Sequence, residues 1–423
     1  MFNTFPARGN MMNMIGAGGD PQPCHGQARR MDGEYKIRQS RFAAALREMG
    51  LAGAVVLSRG GATLDRYGDV LYLSGFYQSY SYMPETPGLF TGRAHAALVI
   101  NATGESRLCP AVAEFAPGSV LAGGIVRIGT FAESVARAMA ELGIPAQGAG
   151  LVGGDVLTWQ MQGLLAERMP GLSWRPCDEA LHRLRRSKST AEFAAIRRAA
   201  QLHVTAVQAM KAAMVPGCTE AGLIATFADV VLRGGGGVYF AVMSSGPGID
   251  RLASHPAPGF STRQIAAGEM MRFDTGIVLD GYLSDFGRTW VMGPPSAPQA
   301  RLLDVLHAAL DRAIAAASPG ATIADIARSG DAALVESGVV DSDAGPGSLY
   351  SGFPVHWGHG LGMGWERPWI TADETMPITP GMYLAIERTI TLSCTGTASA
   401  EQTLLVHDGH VEILTEGVNG RWH

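Results

Sequence analysis

Apolar residues recur at helical spacing from Tyr35 to Met49 and then close into a continuous run, LAGAVVLS, at 51–58. A run this short and this apolar predicts a buried strand. DVLYLSGF (69–76) and RAHAALVI (93–100) predict two more strands, joined by the Tyr- and Pro-rich loop YQSYSYMPETPG (77–88). FAESVARAMAELG (131–143) has helical spacing and closes on Gly143, a residue suited to a helix C-terminus. GLVGGD (150–155) opens another strand-like unit, and WQMQGLLAERMP a further helix. Strands alternating with helices predict an α/β domain over 35–180. It contains no glycine-rich nucleotide fingerprint.

The stretch LHRLRRSKS (181–189) is basic and polar and reads as the connection to a second domain, expected over 181–423. Ser189 with Glu192 forms a capping-box pattern. The apolar positions Phe193, Ile196, Ala200, Val207, Met210 and Met214 then trace one face of a long helix that ends at Pro216-Gly217. Thr219 caps a second helix to about Leu232, stopped by four glycines at 234–237. Strand runs follow at 238–244 and 269–292, then helices at 299–317 and 322–337, then the last strand pairs. Helices alongside antiparallel hairpins predict an α+β domain.

Bulk composition narrows the picture. The chain has 423 residues, 47% hydrophobic and 17% charged, which supports a large core and argues against global disorder. A net charge of −5 points to neither a nucleic-acid nor a membrane partner. The longest apolar runs are too short to span a bilayer. Five scattered cysteines without a C-x-x-C pair fit reduced thiols in the cytoplasm. Residues 1–34 are expected as a disordered tail or an arm on a partner; rich in Gly, Pro, Asn and Met up to about residue 30, they lack the apolar segment of a signal peptide.

The candidate chemistry lies in the last third. Asp274, Asp285, His359, Glu387 and Glu401 sit in MMRFDTGIVL, YLSDFGRTWV, the glycine-rich VHWGHGLGMGWERP, GMYLAIERTITL and SAEQTLLV. Four carboxylates and one imidazole form a hard, oxygen-rich set that suits Mn, Fe, Co or Zn, and two ions better than one. Asp280-Gly281 between apolar runs predicts a two-residue type I′ hairpin. Leu279 then pairs with Tyr282, Asp274 faces Gly287, and Asp285 is the diagonal neighbour of Asp274 on the same face. A one-residue slip would put the two carboxylates on opposite faces.

These segments, with RRSKSTAEFAAIRRAA, VPGCTE and SSGPGIDRLASHPAP, resemble the pita-bread metallopeptidases, the family of prolidase, aminopeptidase P and the creatinase-like hydrolases. The resemblance covers about 35–420. It implies an α/β N-terminal domain and an α+β pita-bread catalytic domain with a curved antiparallel sheet. It further implies two divalent metal ions, manganese first with Co, Fe or Zn as alternatives, and a homodimer. Asp274 would bind one metal in bidentate fashion, Asp285 and Glu401 would bridge, and His359 would complete one sphere. Glu387 would ligate and handle the proton of a bridging water or hydroxide. His255 falls where the family keeps a histidine that hydrogen-bonds the scissile group. His356 would lie just behind the ligands or line the pocket.

One departure stands out. The family usually follows its first histidine with a second, as in H-G-x-G-x-x-x-H-E-x-P. Here the run is HGLGMGWERP, one residue short, with Trp365 or Arg367 to occupy the space. Trp357, Trp365 and Trp369 would form an aromatic wall for a proline ring, a cage for a cationic headgroup, or packing beneath the floor. The expected function is therefore a dinuclear-metal hydrolase of a C–N bond, Xaa-Pro dipeptidase- or aminopeptidase-like. Alternatives are a small-molecule amidohydrolase, like creatinase or ectoine hydrolase, and a dimethylsulfoniopropionate lyase of the same fold. Such lyases carry an extra aspartate where this chain has Gly276. The loop at 77–88 is the candidate lid, closing the pocket of a partner subunit.

Overall fold

The computed structural model describes residues 25–60, 66–86, 93–111, 120–254, 257–339, 356–392, 394–416 and 418. Helix α1 (His25–Glu48) starts upstream of Tyr35, and β1 (Gly53–Arg59), α2 (Gly68–Ser74), β2 (His95–Asn101) and β3 (Ser106–Pro110) follow. Next come α3 (Phe131–Glu141), β4 (Ala149–Val152), α4 (Trp159–Arg168), β5 (Trp174–Pro176) and α5 (Asp178–Arg186). The strands form one five-stranded sheet in the order β3-β2-β1-β4-β5. In it β1 runs antiparallel to β2 and parallel to β4.

Two segments differ from the sequence reading. DVLYLSGF is helix α2, not a strand. Its five apolar positions fit either period, and the left-handed Gly75 (φ 76°), whose N–H closes on the Leu71 carbonyl, ends a helical turn. The basic stretch after 180 is not an open connection either. It is helical to Arg186, with Leu181 and Arg185 facing inward and Arg183 exposed.

The second layer set is built from α6 (Thr190–Ala212), α7 (Glu220–Arg233), β6 (Gly237–Ser245), a 3₁₀ segment (Gly246–Ser254), β7 (Met270–Leu279) and β8 (Tyr282–Val291). It continues with α8 (Ala297–Ala316), α9 (Ile323–Glu336), β9 (His356–Gly362), β10 (Gly364–Thr371), β11 (Tyr383–Leu392), β12 (Gly396–Val406) and β13 (Val411–Ile413). The capping box at α6 forms as expected: Ser189 Oγ accepts from the Glu192 N–H, and the Glu192 carboxylate accepts from the Ser189 N–H at 2.8 Å. An eight-stranded sheet runs β10-β9-β11-β12-β8-β7-β6, with β13 on β12.

Alternation along the hairpin assigns its two faces. Phe273, Ile277, Phe286 and Trp290 pack against α6 and α7. Leu384, Ile386 and Leu404 pack against α8 and α9. From the opposite face, Val278 and Leu283 join a core shared with Phe42, Val70 and Leu73 of the first sheet's helices. Two buried polar clusters tie the same boundary. Glu192 pairs with Arg38 of α1 at 3.3 Å and accepts from the Tyr282 hydroxyl at 3.0 Å. Arg185 bridges Asp69 of α2 and Glu366 of β10, 2.5 Å to each, and Lys188 also reaches Glu366 at 3.2 Å. No helix among the described residues is long and apolar enough to cross a membrane.

Candidate metal centre

The hairpin register is the one the turn dictates. Leu279 pairs with Tyr282, Asp274 with Gly287, and Gly276 with Asp285. Asp280 and Gly281 both take positive φ, 53° and 84°, as a type I′ turn requires. Asp274 and Asp285 therefore share a face. On the neighbouring ladder Glu387 lies directly opposite Glu401, and His359 opposite Ala385, one diagonal step from Glu387. The strand order β9-β11-β12-β8-β7 carries all five residues to the middle of the sheet.

Carboxylate oxygens of Asp274, Asp285 and Glu401 lie within 4.8 Å of one another. His359 Nε2 stands 3.8 Å from Asp285 Oδ2 and 3.7 Å from Glu387 Oε1. The close glycines make this approach possible. A Cβ at Gly287 would sit 3.3 Å from Glu401 Oε2 and 3.5 Å from Asp274 Oδ1. A side chain at Gly358 (φ 113°) would strike the Ala385 carbonyl, so the strand bearing His359 could not pair with β11.

The electrostatics favour a cation or bound protons over bare carboxylates. Burial pushes the Asp274 carboxyl up to about 6. Burial and then the charge of Asp274 push Glu387 up to about 8 and Asp285 well above the ordinary range. Glu401 is raised by burial and then by Asp285. Burial lowers His359 to about 4, so its ring is neutral and able to ligate at neutral pH. Asp274 Oδ1, Asp285 Oδ1 and Glu401 Oε1 are buried without a hydrogen-bond partner. Hard oxygens, crowded and with one atom of three carboxyls unsatisfied, fit divalent cations, and a bound cation would offset the cost of ionising these carboxylates.

A thermal prediction follows. Each carboxyl titrates higher in the fold than in the unfolded chain. The cluster's own contribution to the metal-free fold is thus most favourable at low pH and is lost as pH rises through about 6 at Asp274 and about 8 at Glu387. Saturating Mn²⁺ is expected to raise Tm by several degrees, since ligand at 100-fold its Kd contributes about 2.7 kcal/mol. The increment should be larger at pH 8.5 than at pH 5.5; equal increments, read by scanning calorimetry with and without chelator, would contradict it.

The other expected site residues divide. Trp365 is 43% and Trp369 47% exposed, and both ring edges approach His359. Arg367 lies between them on the same outward face of β10, and all three line a cleft of about 420 Å³. Trp357 instead is fully buried, donates its N–H to Asp331 at 2.8 Å, and belongs to the core. His356 stands behind Glu387, Nδ1 to Oε1 4.0 Å. His255 lies outside the described residues. At the place of the missing second histidine, Trp365 donates its indole N–H to Asp285 Oδ2 at 2.7 Å. A Cβ at Gly276 would come within 2.5 Å of the Phe240 ring, so the extra aspartate of the lyases has no room.

Sequence reading missed three participants. His203 of α6 sits on the back of the sheet, with Nδ1 3.0 Å from Ser284 Oγ and Nε2 3.0 Å from Thr275 Oγ1. It thus pins the neighbours of both aspartates, and burial lowers it to about 3, so it stays neutral. A histidine on the apolar face of an amphipathic helix was its signal. Tyr239 and Phe240 seat the Trp365 ring at 5.4 Å each; nothing in the sequence announced them.

Comparison with known proteins gives the family and the fold. Residues 194–408 match the model of metallopeptidase family M24, and residues 38–187 the creatinase/prolidase N-terminal domain. The chain is 29% identical over 264 residues to "Probable dipeptidase PepE" of Mycobacterium tuberculosis, covering 59% of this chain and 67% of that one. Among solved structures, the dipeptidase PepE from Mycobacterium ulcerans superposes with TM-score 0.72 at 24% identity, over 92% of this chain and 97% of that one. The Xaa-Pro dipeptidase from Bacillus anthracis does so with TM-score 0.70 at 21% identity, over 90% and 98%.

Proposed function

Because this chain belongs to metallopeptidase family M24, and is thereby a metal-dependent hydrolase of peptide bonds with an α/β N-terminal and a pita-bread catalytic half, we propose that it cleaves short peptides of Xaa-Pro type. The observation that carries the reading is the buried cluster of Asp274, Asp285 and Glu401, whose oxygens lie within 4.8 Å and which each keep one buried oxygen without a hydrogen-bond partner. With His359 and Glu387 beside them, these residues would hold two divalent cations, and the oxygen-rich donor set favours manganese. Such cations, when bound, lower the pKa of water and polarise the scissile carbonyl.

The chain's own groups supply the rest. Glu387, raised by burial, would accept a proton from the attacking water and return it to the leaving nitrogen. His255 would hydrogen-bond the scissile group. Trp365 and Trp369 offer ring faces for the proline. Arg367, exposed between them, would take the substrate's terminal carboxylate as a charge-assisted pair. His356 would line the pocket. The indole N–H of Trp365 is engaged with Asp285, so it cannot serve an oxyanion at the same time. This reading extends to a cytoplasmic homodimer; exposed Tyr80, Tyr82 and Trp159 supply an apolar face for contact. The loop from Tyr77 is fastened to its own subunit by Glu85, which accepts from the Phe131 N–H at 3.2 Å, and residues 87–88 lie outside the described residues.

The test is hydrolysis of an Xaa-Pro panel by the Mn-loaded chain. Turnover lost on chelation and regained with Mn²⁺ is expected; no turnover with two metals bound per chain would redirect the assignment to small amides. In the same panel Arg367→Gln should raise KM for free Xaa-Pro acids by roughly 10-fold or more, the loss of a charged hydrogen bond of about 1.5–3 kcal/mol. Their C-terminal amides should be unaffected, and an equal change for both would remove Arg367 from the carboxylate site.

A further inference from the structure

Trp365 touches both halves of the site. Its ring lines the cleft, whose lining residues include none of the five ligands, while its N–H donates to Asp285 Oδ2 at 2.7 Å. Asp285 itself is 3% exposed, and its second oxygen, Oδ1, is buried with no hydrogen-bond partner. One oxygen of this carboxylate is therefore held by a neutral donor and the other is left for a cation.

The donor is held in turn. Tyr239 meets the Trp365 ring edge-on at 5.4 Å and Phe240 meets it at a tilt at 5.4 Å. The next residue, Glu366, is clamped by Arg185 at 2.5 Å and Lys188 at 3.2 Å. Strand β10 cannot slide without breaking that clamp. Asp285, by contrast, faces the like charges of Asp274 and Glu401 in a buried place. Without a donor its side chain would gain by rotating away from them, and a cation would first have to bring it back.

We propose that Trp365 is a positioning residue of the metal centre: its indole N–H fixes the Asp285 carboxylate in the orientation that ligates, and so sets the affinity of the site for a divalent cation. The proposal rests on the metal-centre reading above. A hydrogen bond to the charged form of a ligand lowers the cost of keeping it ionised, and removal of such outer partners typically weakens metal binding 10–100-fold. The same ring forms a wall of the cleft, so that a residue touching substrate also governs the metal.

Equilibrium dialysis of Mn²⁺ against the full chain tests this, with Tm of the metal-free protein measured alongside. Trp365→Phe keeps an aromatic wall and removes the donor. Replacement of Trp365 by benzothienylalanine keeps the indole shape and exchanges only the N–H for sulfur. Both are expected to weaken Mn²⁺ binding by roughly 10–100-fold, with the metal-free Tm unchanged. Binding by the benzothienylalanine protein equal to that of the parent would overturn the proposal, since the ring and not its N–H would then matter. A fall in metal-free Tm that parallels the loss of affinity would overturn it too, by assigning the effect to general loosening. Asp285→Asn separates the underlying reading. If that variant also binds Mn²⁺ undiminished, the metal centre itself has been misplaced, and the role of Trp365 falls with it.

Discussion

Asp285→Ala lowers kcat/KM for Xaa-Pro hydrolysis by roughly 10³–10⁴-fold, about 4–5.5 kcal/mol of barrier, and at the same time raises the Tm of the metal-free chain above pH 8. The opposite signs have one cause. Asp285 lies among Asp274, Glu401 and His359 and is the carboxylate shared by the cluster. Its removal would take away the ligand proposed to serve both metal positions. The same side chain is raised well above its ordinary value by burial and then by Asp274, so holding it ionised in the empty fold costs stability. That penalty is absent at low pH, where the folded and unfolded chains are both protonated, and grows as pH rises. Steady-state kinetics and calorimetry of one preparation check both halves. Turnover within 10-fold of the parent would remove Asp285 from the metal centre, and an unchanged metal-free Tm at pH 8.5 would remove the electrostatic account.

Arg185→Met destabilises the fold by about 3–5 kcal/mol, the usual cost of stranding buried carboxylates, and lowers Tm by roughly 3–6 °C in a chain of this size. Arg185 is 7% exposed and joins Asp69 and Glu366 at 2.5 Å each. Although burial opposes their charge, Arg185 holds Asp69 well below its ordinary value, and Arg185 with Lys188 does the same for Glu366. In the parent these depressed groups give stability above the unfolded carboxyl pKa and lose it only in strong acid. In the variant their values rise instead, so the deficit against the parent should narrow as pH falls from 8 toward 4. Arg185→Lys should recover only part of the loss, because an ammonium cannot span two carboxylates as the planar guanidinium does. The network also fixes β10, the strand of Trp365 and Arg367, so activity should fall with stability. A Tm within 1 °C of the parent would mean that the two charges had found other partners.

How much of this was legible depends on the range of the interaction involved. The hairpin register was readable because an Asp-Gly turn leaves one pairing, and period 2 then fixes the faces of Asp274 and Asp285. The capping box of Ser189 and Glu192 was readable because donor and acceptor are three residues apart. DVLYLSGF was misread because a seven-residue apolar helix and a strand look alike without their neighbours. The three tryptophans looked like one cluster, yet Trp357 turns into the core against α9 while Trp365 and Trp369 line the cleft. The sheet's pleat and a bulge between Glu366 and Trp369 decided that.

By itself, then, the order of residues determined which side chains could ligate, which face of the hairpin would carry two of them, and what class of cation they would suit. These are matters of residue type and of contacts within a few positions. Only the tertiary structure decided that Glu387 and Glu401 would meet across one ladder, that Trp365 would reach Asp285 80 positions away, and that Arg185 would bind Glu366 181 positions away. It also decided that His203 would brace the aspartates from behind. Such pairings depend on burial, which removes water as a competing partner and leaves each buried charge or donor to find another group in the fold. No local pattern records which group that will be.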